Sequence, residues 1–134
     1  MPTIPESHCD LADHGVGFLA TFGSDGFPQV TAVGFLINDG VVFVTASDAR
    51  QKVKNLLRNP NCTFFVSDAG ASRTLELRGT AELIPDLDYE WAGRVAGANG
   101  SNADQVRARQ VGELCYCIAL RPSKINTWPP APAR

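Results

Sequence analysis

Pro28-Gln29-Val30-Thr31-Ala32-Val33-Gly34-Phe35-Leu36-Ile37, Asn38-Asp39-Gly40 and Val41-Val42-Phe43-Val44-Thr45 follow one another in this chain and decide its fold. The first and last stretches are rich in Val, Thr and Phe, whose branched or flat side chains suit a pleated, half-buried surface. Between them, Asp39-Gly40 supplies residues that tolerate positive φ, as a tight hairpin requires. Upstream, Gly15-Val16-Gly17-Phe18-Leu19-Ala20-Thr21-Phe22 is another β-prone run, closed by the turn signal Gly23-Ser24-Asp25-Gly26. Three antiparallel strands on tight turns make a meander, the opening of a barrel or sandwich.

Downstream, the pattern changes period. Val53, Leu56 and Leu57 recur at helical spacing, so a helix is expected over residues 50–59, capped by Ser47 or Asp48 and stopped by Pro60. Residues 62–67 and 74–84 read as two further strands, with Gly79 marking a bulge or a close approach. A helical pattern runs from Asp86 to about Ala96. It breaks at residues 97–102 and resumes over 103–111. Residues 114–120 are the last expected strand, and the chain from Pro122 on reads as irregular. The expectation is one mainly-β (α+β) domain over residues 1–134: a six-stranded antiparallel barrel with flanking helices.

At 134 residues, with 44% apolar and 19% charged side chains, the chain suits one packed core. A formal net charge of −2 gives no general attraction to nucleic acid or to anionic membranes. No run approaches the length of a membrane span. Met1-Pro2-Thr3-Ile4-Pro5-Glu6 has neither the basic nor the apolar part of a secretory leader, so a cytoplasmic location is expected. The four cysteines, Cys9, Cys62, Cys115 and Cys117, form no C-x-x-C pair. Cys115 and Cys117 share one face of a strand and read as small core residues. His8, Cys9 and His14 lack the second pair that a zinc site of ordinary spacing needs, so no metal is expected. Both histidines read as surface or packing residues.

Against this acidic background, Arg50-Gln51-Lys52-Val53-Lys54-Asn55-Leu56-Leu57-Arg58 holds four of the twelve basic residues and no acid. It falls where a helix begins, and a helix start already carries unpaired N–H groups and partial positive charge. Cations in a first turn oppose that dipole unless a negative group binds there, which is the physics of phosphate sites. Arg50 and Lys52 are therefore the candidate anion ligands. Asn55 reads as a brace, Arg78 as the partner of Glu76 or Glu82, and Trp91 as a core or interface residue.

Four segments together resemble one family. They are Gly17-Phe18-Leu19-Ala20-Thr21, Asp25-Gly26-Phe27-Pro28-Gln29-Val30, Arg50 to Leu56 with Asn59-Pro60, and Leu77-Arg78-Gly79-Thr80-Ala81-Glu82. In this order and spacing the chain resembles the pyridoxamine 5′-phosphate oxidase-like split β-barrel superfamily, over roughly residues 15–85. Its nearest likeness is to the group that uses the deazaflavin coenzyme 420.

The resemblance implies a homodimer holding its cofactor in a groove between two barrels. It implies that Gln29, Val30, Thr31, Ala32 and Val33 line the ring edge, and that Val44 and Thr45 lie beside the ribityl chain. Arg50, Gln51 and Lys52 would hold the phosphate, and Trp128 would reach the partner's pocket. Thr74 stands where true pyridoxamine oxidases use Gln near the ring, and Gln29 where they place Arg. Those departures favour coenzyme 420 over FMN and argue against pyridoxamine as substrate. The implied activity is hydride transfer from the reduced deazaflavin to a small electron-poor acceptor. An FMN-dependent oxidoreductase and a non-catalytic flavin or deazaflavin carrier are the alternatives. The hydride chemistry belongs to the cofactor, so no acid–base residue is assigned.

Overall fold

The two edge strands of the sheet are joined by only two residues, and this fixes the shape of the molecule. The structure is a computed structural model that describes residues 2–13 and 16–131; His14 and Gly15 lie outside the described residues. Its strands are β1 (Val16–Phe22), β2 (Pro28–Val33), β3 (Leu36–Asn38), β4 (Val41–Ser47), β5 (Asn61–Ser67), β6 (Thr74–Pro85) and β7 (Cys115–Trp128). Its helices are α1 (Gln51–Arg58), α2 (Glu90–Ala98) and α3 (Ala103–Arg109), after a 3₁₀ segment at Glu6–Ala12. All neighbouring strands pair antiparallel in the order β2-β1-β5-β6-β7-β4-β3. Val33 and Leu36, on opposite edges, are three Cα steps apart, no more than about 11 Å. The sheet must therefore roll up, with its edges meeting at Gly34-Phe35. It is a mainly-β split barrel.

The described residues form seven strands rather than the expected six. The single strand expected over residues 28–37 breaks at Gly34-Phe35, because that dipeptide carries the chain from one sheet edge to the other. Gly34 packs closely here, since a Cβ there would stand 3.2 Å from the Asn99 carboxamide, which would have to shift to admit it. The Asp39-Gly40 hairpin forms as expected, with φ of 51° and 76°. The last strand runs well past Pro122, contrary to the irregular tail expected. Gly79 pairs with Pro122 while Arg78 pairs with Lys124, so Ser123 is the extra residue of a bulge. Pro122, which lacks an N–H, is tolerated at that irregularity, and pairing resumes as far as Trp128.

Inside the barrel lie Leu19, Val42, Phe64, Val66, Leu75, Leu77, Ile118 and Leu120, all buried. Gly17 admits the Phe35 and Phe64 rings, which meet edge to face with centroids 4.8 Å apart; a Cβ at Gly17 would lie 2.6 Å from Phe35. Helix α1 buries Val53, Asn55 and Leu56 and leaves Leu57 64% exposed, so the expected apolar stripe is rotated toward the polar Asn55. Cys62, Cys115 and Cys117 are buried, and desolvation first of all pushes each thiol up to about 12. His8 is buried too, its Nε2 3.1 Å from the carbonyl of Trp128. Arg73 donates to Asp10 (Nη1 to Oδ1, 2.8 Å) and so pins the 3₁₀ segment. No helix among the described residues is long and apolar enough to cross a membrane.

Candidate functional site

Helix α1 begins without a side-chain cap. Arg50, extended at φ −82° and ψ 140°, is the N-cap residue, in place of the expected Ser47 or Asp48. Asp48 is engaged elsewhere, accepting from the backbone N–H of Leu114 at 3.1 Å. The Ser47 Oγ is buried and has no hydrogen-bond partner among the described residues. Val53 N–H donates to the Arg50 carbonyl at 3.1 Å, so the N–H groups left without an acceptor among the described residues are those of Gln51 and Lys52.

At this helix start lies a cavity of about 390 Å³, lined in part by Arg50, Lys52, Thr45 and Gly34. Arg50 and Lys52 make no ion pair among the described residues; the pairs there are Arg73–Asp10 and Arg78–Glu76. Lys52 Nζ donates to Thr31 Oγ1 at 3.4 Å, which sets the ammonium against β2. Burial, and then the neighbouring Arg50, hold the Lys52 pKa below its ordinary value. An anion in the cavity would relieve both penalties. No cluster of His, Cys, Asp and Glu among the described residues is arranged to hold a metal ion.

The far wall comes from a part of the chain that helical periodicity alone did not link to the site. Helices α2 and α3 pack through Ala92, Ala96 and Val106, and Gly93 lets Ala103 come close, since a Cβ there would stand 3.3 Å from the Ala103 Cβ. The Asp86 carboxylate is buried and accepts from the N–H groups of Trp91 (3.0 Å) and Ala92 (2.8 Å), fixing the start of α2. At its other end, Asn99 Nδ2 donates to the Phe35 carbonyl at 3.1 Å and to that of Val95. The pair of helices is thereby tied to the point where the barrel edges meet. Their ends bring Asn99, Ser101, Arg109 and Gln110 to the same cavity as Arg50 and Lys52. Asn99 and Ser101 fall in the loop over residues 97–102, a break in the helical pattern in which the sequence gives neither residue a role of its own. An Arg in the last turn of a predicted helix marks Arg109 only as a partner of the helix dipole.

The other expected site residues are distributed around this cavity and beyond it. Asn55, at the buried face of α1, donates from Nδ2 to Gln29 Oε1 and Thr21 Oγ1, both at 3.1 Å. Its Oδ1 accepts from Gln51 Nε2 at 2.9 Å and from Arg58 Nη2 at 3.3 Å. The side chains of Gln29 and Gln51 are thus partly engaged in bracing α1 against β1 and β2. Arg58 also reaches the Phe22 carbonyl at 2.7 Å, and neither Lys54 nor Arg58 lines the cavity. Val44 is buried in the core, while Thr45 lines the cavity. Thr74 and Trp128 are cross-strand neighbours in the β6–β7 ladder, away from the residues that line the cavity.

Val30 and Ala32 point the opposite way from Thr31, onto the outer face of the sheet. There the register aligns Ala32 with Phe18 and Phe65, Val30 with Ala20, and Pro28 with Phe22. Val30 is 61% exposed and Phe22 44%, apolar residues on this face without a covering element in the single chain. Arg78 and Glu76 pair on this face at 2.8 Å, within one strand. Trp91 lies elsewhere, stacked on Phe43 with centroids 4.3 Å apart and Arg94 over its ring.

A family model described as pyridoxamine 5′-phosphate oxidase matches residues 5–126. Among solved structures, an F420 reductase is 28% identical, with a TM-score of 0.78, over 92% of this chain and 98% of that one. A conserved hypothetical protein of Mycobacterium tuberculosis is 23% identical (TM-score 0.75, 94% of this chain and 85% of that one). General stress protein 26 of Bacillus anthracis is 19% identical (TM-score 0.71, 96% of each chain). These last two show the shared fold alone. No curated protein matches the chain.

Proposed function

The chain belongs to the pyridoxamine 5′-phosphate oxidase family, and on that premise we propose that it is an oxidoreductase using the deazaflavin coenzyme 420. One observation carries the reading: two cations without anionic partners, Arg50 and Lys52, share a cavity with the uncapped start of α1. Such a place fits a phosphate. The helix N–H groups donate to it, Arg50 offers a forked donor and Lys52 a point charge. Thr31, held by Lys52, and Thr45 would lie along the cofactor beyond its phosphate. The 28% identity to an F420 reductase favours a deazaflavin over FMN. When bound, a reduced deazaflavin supplies a hydride to an electron-poor acceptor. The protein's part is to orient the ring and keep water from it.

The apolar outer face of β1, β2 and β5 supports a homodimer, with the second copy covering Phe22 and Val30 and closing the groove over the ring. The acceptor in this reading is a small, electron-poor molecule admitted between the two copies.

Titration of the purified protein with coenzyme 420 and with FMN tests the assignment. We expect tighter binding of the deazaflavin. Arg50→Ala and Lys52→Ala should each weaken it by about tenfold, the worth of one charge-assisted hydrogen bond. Unchanged affinity in both variants means that the phosphate lies elsewhere. Oxidation of the reduced coenzyme by a panel of quinones and enones then separates an enzyme from a carrier.

A further inference from the structure

Asn55 fills a place that packing alone would give to an apolar residue. It lies on the inner face of α1 with Val53 and Leu56, fully buried, while Leu57 is exposed. Its hydrogen bonds can run in only one direction. Arg58 donates from Nη2 to Asn55 Oδ1 at 3.3 Å, and a guanidinium cannot accept. The oxygen of Asn55 is thereby fixed, so Gln51 must meet it with Nε2, and Asn55 Nδ2 must face Thr21 and Gln29. Gln29 can answer only with Oε1, at 3.1 Å, and that oxygen also lies 3.5 Å from the Thr21 hydroxyl. The Nε2 of Gln29 is left without a partner among the described residues. Thr31, two residues on and on the same side of β2, is held in the same sense: its oxygen accepts from Lys52, which frees its own proton to donate. The side of edge strand β2 that faces α1 therefore offers donors.

We propose that Asn55 is a positioning residue for ligand binding: directed by Arg58, it occupies Gln29 Oε1, keeps the Gln29 N–H groups free, and so commits the seam between α1 and β2 to hydrogen-bond acceptors such as carbonyl oxygens. The proposal rests on the cofactor reading above and deepens it. Neither Asn55 nor Arg58 lines the cavity, so both act through Gln29. A ligand edge that carries donors meets donors here and is rejected. This also gives a reason for a carboxamide in the core of α1, where an apolar side chain would leave Gln29 free to turn either way.

Fluorescence titration with coenzyme 420 tests this as a double-mutant cycle of Asn55→Asp and Gln29→Leu. Asn55→Asp still accepts from Gln51 and Arg58 but has no N–H, so Gln29 turns its nitrogen inward and shows the ligand an oxygen. We expect Asn55→Asp to weaken binding about tenfold in the wild-type background and by less than about twofold in the Gln29→Leu background. A residue that merely steadied the helix would cause the same loss in both, and that result, or no loss in either, overturns the proposal. Should Asn55→Asp fail to fold, the exposed Arg58 decides. Arg58→Met should weaken binding about threefold and Arg58→Lys, which can only donate, should restore it; equal affinities in the two variants overturn the proposal. In the free protein, side-chain amide exchange read by NMR should find Asn55 protected and Gln29 unprotected, and the reverse overturns it too. If the cycle is additive while Lys52→Ala still weakens binding, the cofactor reading stands and only this inference falls. If wild type does not bind the coenzyme, both fall together.

Discussion

Lys52 is the side chain on which most of the site's electrostatics turns. Its ammonium is half-buried, beside Arg50 and against the Thr31 hydroxyl. Burial first, then Arg50, lower its pKa from 10.5. The unfolded chain therefore holds this proton more tightly than the folded one. Over the window between the lowered folded pKa and 10.5, the Lys52 contribution to stability rises with pH as the burial penalty is relieved. Anion binding runs the other way, because it needs the charged form. Cofactor affinity should fall as pH is raised through the lowered pKa, and Lys52→Arg should flatten that decline; a pH-independent Kd in the wild type would contradict it. Asn55 is the second decisive residue, with all its hydrogen-bonding groups used on Thr21, Gln29, Gln51 and Arg58. Asn55→Ala strands buried partners and should cost about 2 kcal/mol in urea unfolding. A loss below about 0.5 kcal/mol would mean that water replaces the carboxamide.

At the level of elements, the fold depends on one place where strands cross too closely for a side chain. A Cβ on Gly79 would stand 2.0 Å from the Arg121 carbonyl oxygen, and backbone cannot yield as a flexible side chain can. Gly79→Ala should therefore destabilise the protein by about 3 kcal/mol, read as a lowered denaturation midpoint. Wild-type stability in that variant would show that the bulge at Ser123 can move. The bulge was legible in the sequence as a lone glycine in an alternating strand. Its consequence was not: the shift lets β7 carry on past Pro122 to Trp128. A proline in a single sequence reads as a terminator, and only the partner strand reveals that its missing N–H falls where no ladder bond is needed. Helix α1 gives the same lesson. Its period was clear, but the choice of Asn55 over Leu57 for the inner face depends on Thr21 and Gln29, which come from other strands.

For the whole molecule, the outer sheet face is the surface to probe. If a second copy covers it, Val30→Lys, which places a charge among Phe22, Ala20 and Pro28, should shift the protein toward a monomer in analytical ultracentrifugation. It should also weaken cofactor binding, because the groove would lose one wall; an unchanged dimer would place the interface elsewhere. The alternation of apolar residues, the Asp39-Gly40 turn and the basic run at residues 50–58 pointed by themselves to an antiparallel β domain with a cluster of cations at its first helix. Those are local properties: side-chain period, permitted φ and net charge are all written within a few residues of one another. The tertiary structure alone decided that the sheet closes at Gly34, that β3 separates from β2, and that Asn99, Ser101, Arg109 and Gln110 come round to face Arg50 and Lys52. Residues so far apart in the chain meet because rolling the sheet and docking α2 on Phe35 bring them together, and no short-range pattern encodes that distance.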